Sequence, residues 1–202
     1  MTKDVRQLGD KVPILILGKV MLREINVLSD APEWYRLMKD PDVHRWTGGD
    51  VPSNVMETRD YLDKFKSIPQ ILSWAMISSE TSRIVGMYWI WKPIEDGEGN
   101  RIIPSEVERI GRAYWRKGYM KDARQVVYDY CFNQLGVREI HAQVWKDNLN
   151  SIKSLEYAGH VCYKEELKMI ERYKSLHVEC HYKVDREKWL KSPLMSKNKS
   201  KH

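Results

Sequence analysis

The amino-acid sequence predicts an α+β domain with a mixed sheet, and three observations predict it. Ala123, Val126, Val127, Tyr130, Cys131 and Leu135 recur at helical period after Gly118. Ile140, Ala142 and Val144 alternate with polar residues, as do Leu176, Val178, Cys180, Tyr182 and Val184, which is the pattern of half-buried strands. Helical and strand-like segments interleave along the chain without an internal repeat, so both kinds share one core.

Taken in order, residues 13–23 read as a strand pair or as one strand kinked at Gly18. Asp30 is placed to cap a helix that carries Trp34, Leu37 and Met38 on one side, and Pro41 ends it. A second helix starts near Ser53, with Tyr61, Leu62 and Phe65 on one face. Residues 71–78 and 83–91 are strand-like around a polar turn and predict an antiparallel hairpin. Residues 96–100 form a second turn, leading to a strand near 105–112. Gly136 stops the main helix, while Asn148 and Asn150 open a short one that Gly159 closes.

Composition excludes several classes of function. The longest apolar run, residues 84–91, falls well short of the roughly 18 residues a membrane helix needs. No apolar stretch backs the charged start of the chain, so no signal peptide and a cytoplasmic location are expected. Cys131, Cys162 and Cys180 are odd in number, scattered and without a CxxC spacing, which argues against a disulfide framework or a structural zinc site. The net charge is +6, but six Lys or Arg against one acid follow Asp185, so the body is close to neutral. A basic, Ser-rich end of this kind is expected to be a solvated, disordered tail; the other reading is a weak RNA or ribosome contact through it. His177, Glu179 and His181 stand at i, i+2 and i+4 on the last strand. That spacing suits a metal, but the polar side of any exposed strand produces it too, and no metal is expected.

Chemistry concentrates at residues 114–123, where a strand runs into the best helix of the chain. The first amides of a helix lack intrahelical acceptors and sit at the positive end of its dipole. Gly118 lets a ligand approach the backbone, while Arg116 and Lys117 add mobile positive charge. The same segment would also serve as a plain connection turned by its single glycine. A second element, Asn148-Leu149-Asn150-Ser151, opens a helix some thirty residues on, after an intervening strand.

These motifs resemble those of the GNAT acetyltransferases, in particular the RimJ/RimL-like branch that acts on ribosomal proteins. The family's coenzyme loop, Gln/Arg-x-x-Gly-x-Gly/Ala, often reads Trp-Gly-Lys-Gly-Tyr with Glu-Ala following in this branch. Here it stands as Trp115-Arg116-Lys117-Gly118-Tyr119-Met120, then Lys121-Asp122-Ala123. The family's Asn-x-x-Ser and Leu-Glu-Lys-x-Gly-Phe run is matched by Asn148 to Ser151 and Leu155 to His160. Leu22-Arg23, Asp40-Pro41-Asp42-Val43, Thr58-Arg59 with Tyr61-Leu62, Trp74-Ala75-Met76-Ile77, Ile84-Val85-Gly86-Met87 and Arg186-Glu187-Lys188-Trp189 extend the likeness over residues 13–190. Trp115 stands at the Gln/Arg position, Met120 at the second small position, His160 for Phe, and Leu155 where many members have a tyrosine that protonates the leaving thiolate.

The resemblance implies a mostly antiparallel six- to seven-stranded sheet flanked by about four helices. It places an N-terminal extension at 1–12, the acetyltransferase domain at 13–190 and the basic tail at 191–202. It implies acetyl transfer from acetyl-CoA, as co-substrate, to a primary amine: a protein N-terminus or a small molecule. Arg112, Ala113, Trp115, Arg116, Lys117, Gly118, Tyr119, Met120 and Lys121 would hold the coenzyme, with Asn148 and Ser151 on its pantetheine arm. Glu106 and Glu108, on one face of the strand before the loop, are the candidate bases, or else ordinary solvent-facing acids. Ser151 is the candidate donor to the thiolate, or simply a residue satisfying the start of a helix. Backbone amides near 112–114 are expected to face the developing oxyanion. Trp46, Trp89 and Trp91, and the loops 45–54 and 92–105, are expected to shape the acceptor pocket. No membrane contact is expected, and the chain is read as a monomer or homodimer. The alternative is a non-catalytic module of the same fold that holds a CoA ester or, through its tail, RNA.

Overall fold

A computed structural model describes residues 12–46, 50–171 and 173–196. The α+β class stands, but the described residues form ten strands in two five-stranded sheets rather than one sheet of six to seven, and six helices rather than about four. The chain forms two compact units, one running up to Lys92 and joined by Val107–Val127, the other made of Pro93–Glu106 and the residues from Tyr128 onward. Among the described residues no helix is long and apolar enough to cross a membrane. The N-terminal extension, apart from Val12, and tail residues 197–202 lie outside the described residues.

The first unit holds β1 (Leu15–Leu17), β2 (Val20–Glu24), β3 (Ile71–Ser78), β4 (Ile84–Trp91) and β7 (Glu106–Ile110), ordered β1-β2-β3-β4-β7. The β3–β4 pairing is the expected antiparallel hairpin, with Ala75 opposite Met87. Gly86 is required where β7 crosses its backbone, since a Cβ there would lie 2.4 Å from the Arg109 carbonyl oxygen. Helices α1 (Val27–Met38) and α2 (Val55–Lys66) pack Trp34, Leu37, Met38 and Leu62 with Ala75, Met87 and Trp89 of the sheet.

Asp30 does not cap α1. Asn26 does, accepting the Ser29 amide at 3.2 Å, and Asp30 returns a bond to the Asn26 amide at 2.8 Å while holding Arg23 bidentately. A carboxylate four residues into a helix closes the reciprocal half of a cap, which a search for the first Asp misreads. Similarly α2 is capped by Asn54, one residue after the expected Ser53.

The second unit holds β5 (Ile94–Glu95), β6 (Arg101–Ile103), β8 (Glu139–Trp145), β9 (Val161–Ile170) and β10 (Ser175–Asp185), ordered β5-β6-β8-β10-β9. Only β6–β8 is parallel among its pairs. Strand β9 has no apolar alternation because it is an edge strand, paired with β10 alone and exposed along most of its length. Helix α3 (Tyr119–Asp129) widens into a looser turn over Tyr130–Gln134, and Gly136 at φ +63° ends it as expected. Helix α4 (Leu149–Tyr157) is followed by Gly159, whose missing Cβ leaves room for the Lys188 carbonyl. Helices α5 (Arg186–Lys191) and α6 (Pro193–Ser196) complete the chain. Thus the tail does not leave the core at residue 191: Leu194 is fully buried, and packing an apolar side chain holds the backbone as far as Ser196.

Candidate functional site

Strand β7 ends at Ile110, and Arg112–Tyr114 make a tight helical turn before α3. The Trp115 indole donates to the Ile110 carbonyl at 2.8 Å, so this side chain clips the loop to the strand. Arg116 adopts φ +60° and Gly118 φ +88°, two left-handed positions that swing the backbone into α3. Open space surrounds Gly118 where a Cβ would be. The first intrahelical bond runs from the Asp122 amide to the Gly118 carbonyl, so the amides of Tyr119, Met120 and Lys121 precede it. Asp122 is in turn fixed by the Lys19 amide at 2.9 Å, beneath the β1–β2 turn at Gly18. Exposed amides, a positive dipole end and the Arg116 and Lys117 cations together suit a pyrophosphate.

Three observations bear on the expectations about this loop. The Tyr119 side chain is buried, its hydroxyl 3.2 Å from Ser78 Oγ, so only its backbone faces the loop. Arg112 is paired with Asp42 at 2.5 Å across an exposed surface. The Tyr114 amide donates to the Gly111 carbonyl at 2.8 Å and is spent within the turn, so it cannot also meet an oxyanion.

Glu106 and Glu108 of β7 meet residues one helical turn apart on α3. Glu108 pairs with the buried Arg124 guanidinium, while Glu106 accepts the Tyr128 hydroxyl at 2.5 Å. Two strand residues and one helical turn advance by nearly the same distance, about 6 Å, which matches the pairs. Tyr128 also lies 3.3 Å from His160 Nε2, making a buried Glu106–Tyr128–His160 line. Sequence reasoning missed Arg124, Tyr128 and the part played by His160. Its available signal was the i, i+4 spacing of Arg124 and Tyr128 opposite two glutamates at i, i+2.

In the second unit Asn148 caps α4, accepting the Ser151 amide at 3.3 Å. The capping role foreseen for this motif is therefore observed, and Ser151 sits half-buried in the first turn. The suspected metal triplet is rearranged. His177 turns to Ser175 and Asp147, whereas His181 gathers with Glu179 and Glu166, where the Lys168 ammonium already binds Glu179.

A cavity of about 240 Å³ lies in the first unit, bounded by α1, α2, β7 and residues 50–52. Trp34, Met38, Val51 and Pro52 give it apolar walls, and Asp50, Glu57, Tyr61 and Arg109 supply polar groups. Of the expected pocket loops only 45–54 contributes lining residues. Trp89 is packed under Phe65 at 5.1 Å between ring centroids, and neither Trp46 nor Trp91 lines the cavity.

The sequence matches the family model described as "Acetyltransferase (GNAT) domain" over residues 19–161. It is 27% identical to "Uncharacterized N-acetyltransferase p20" of Bacillus licheniformis over 144 residues, covering 70% of this chain and 78% of that one. A GCN5-related N-acetyltransferase from Brucella melitensis superposes with TM-score 0.81 at 16% identity, covering 95% of this chain and 86% of its own. The spermidine N-acetyltransferase of Vibrio cholerae, solved with CoA and spermine, superposes with TM-score 0.69 at 14% identity, covering 85% and 98%. With seven-tenths of its length matched by the family model and this junction in place, the chain belongs to the GNAT acetyltransferase family.

Proposed function

We propose that this protein transfers an acetyl group from acetyl-CoA to a primary amine, with both substrates bound at once, and that it belongs to the RimJ/RimL-like branch. The observation that carries the reading is the β7–turn–α3 junction, with its open Gly118 and the unengaged start of α3, in a chain of this family. The Trp-x-Lys-Gly-Tyr form of the loop supports the branch.

Acetyl-CoA supplies the activated acyl group. In this reading the amides of Tyr119 to Lys121, with Arg116 and Lys117, hold its pyrophosphate, and Asn148 bonds the pantetheine arm. The amine nitrogen forms a bond to the acyl carbon as the carbon–sulfur bond breaks. An amine is nucleophilic only when neutral, so a base must take its proton. Glu106, which hydrogen-bonds Tyr128, is taken as the base, and Glu108 balances the buried charge of Arg124. Tyr128 donates to Glu106, and His160 extends a hydrogen-bonded line along which the proton can move. Ser151 supplies a proton to the departing thiolate. The acceptor of the branch is a protein N-terminus, and of its enzymatic relatives a small amine. No observation favours the non-catalytic alternative.

Release of CoA thiol is expected when acetyl-CoA is mixed with a panel of peptides, polyamines and aminoglycosides. Gly118→Val forces a β-branched residue into a left-handed position beside the bound phosphates. It should abolish CoA binding in calorimetry while circular dichroism stays native. Unchanged CoA affinity in the folded variant would overturn the assignment.

A further inference from the structure

Arg109 is a buried cation with no counter-ion among the described residues. Its guanidinium carbon stands 5.5 Å from the Tyr61 ring centroid and 5.9 Å from that of Trp89, an aromatic slot that holds the planar group. Among the described residues no carboxylate pairs with it; its Nε is buried without an acceptor, and the Tyr61 hydroxyl is the polar group that faces it. Burial pushes its pKa below the usual arginine value, opposed only by Tyr61, yet a guanidinium stays protonated in proteins. Folding therefore leaves a desolvated charge and an unanswered Nε–H donor on the wall of the α1–α2–β7 cavity.

We propose that this cavity binds the amine acceptor by a carboxylate, seated on the Arg109 guanidinium and the Tyr61 hydroxyl, and that the acceptor is an amino acid or a similarly small carboxylated amine. The word acceptor rests on the acetyltransferase reading; the carboxylate site does not. One guanidinium matches one negative charge, and its planar fork fits a carboxylate. A phosphate dianion would instead face Asp50 and Glu57 on the same cavity. Those two acids put negative charge on the same cavity as its cation, so a zwitterion suits it better than a simple anion. The apolar walls from Trp34 and Met38, and the volume of about 240 Å³, suit one small side chain.

The test uses acceptor pairs that differ only in a carboxylate: L-leucine against L-leucinamide for a main-chain group, and glutamic acid α-amide against glutamine α-amide for a side-chain group. Binding is measured by calorimetry on the full-length protein without acetyl-CoA, and transfer by CoA release with it. The acid of at least one pair should bind tenfold or more tightly than its amide, and Arg109→Gln should bring that ratio close to one, with Arg109→Lys between. Equal binding of acids and amides, no binding of either, or an undiminished preference in folded Arg109→Gln overturns the proposal. Should the variants fail to fold, the wild-type pairs decide alone. A carboxylate preference in binding without any CoA release would sink the enzyme reading and leave this site standing. Equal transfer to amides and acids, with no preference in binding, would do the reverse.

Discussion

Arg124 and Arg109 are buried almost equally, at 4% and 8% exposure, and differ in company. Arg124 reaches back from α3 to Glu108, so its charge is balanced within the protein. Arg109, the next residue along β7, points its charge at two aromatic rings and a cavity. A buried cation with a carboxylate serves the fold, and removing either partner leaves the other stranded. A buried cation without one is held at a cost by the rest of the structure, and that cost falls when an anion arrives. Glu106 falls between the two cases. Its carboxylate accepts the Tyr128 hydroxyl from α3.

The largest effect expected from this contrast is on turnover. Glu106→Gln should lower kcat by about 10²–10⁴-fold with CoA affinity kept, as loss of a general base does. A loss below about tenfold in steady-state kinetics would return Glu106 to the structural class. Next comes the partner of Arg124. Glu108→Gln should cost about 2–3 kcal/mol of stability in urea unfolding, less than for a fully buried pair because the Glu108 side chain keeps 20% exposure. The double variant Glu108→Gln, Arg124→Met should recover most of that loss; failure to recover would mean the charge is not what matters. Ser151→Ala should slow turnover less than tenfold, since water can partly replace a hydroxyl donor, and a larger loss would raise Ser151 to an essential acid. Smallest is Arg109→Met, which should shift unfolding by no more than about 1 kcal/mol, as lost ring stacking is offset by removal of an unpaired charge. A loss matching that of Glu108→Gln would erase the distinction between the two arginines.

Much of this was legible in sequence because it is local. The β3–β4 hairpin, the α3 stripe and the caps at Asn148 and Gly136 follow from spacing over a few residues. The strand–turn–helix junction at Gly118 was legible for the same reason: a glycine between a strand and a helix fixes where the first helical amides fall. Strand β9 was not legible, since an edge strand with solvent on both faces carries no hydrophobic period. Nor was the fate of Tyr119, an apolar-looking loop residue that the core claimed through Ser78.

The sequence by itself determined the periods of the elements, their ends, and the residue types at the β7–α3 junction. Those are set by backbone geometry and side-chain sterics within one or two turns. Only the tertiary structure decided which charges are answered. Glu108 finds Arg124 sixteen residues away, and Tyr128 finds His160 thirty-two away, while Arg109 finds two aromatic rings and no acid. Electrostatic pairing acts through space and depends on desolvation, and neither is visible until distant segments of the chain have packed together.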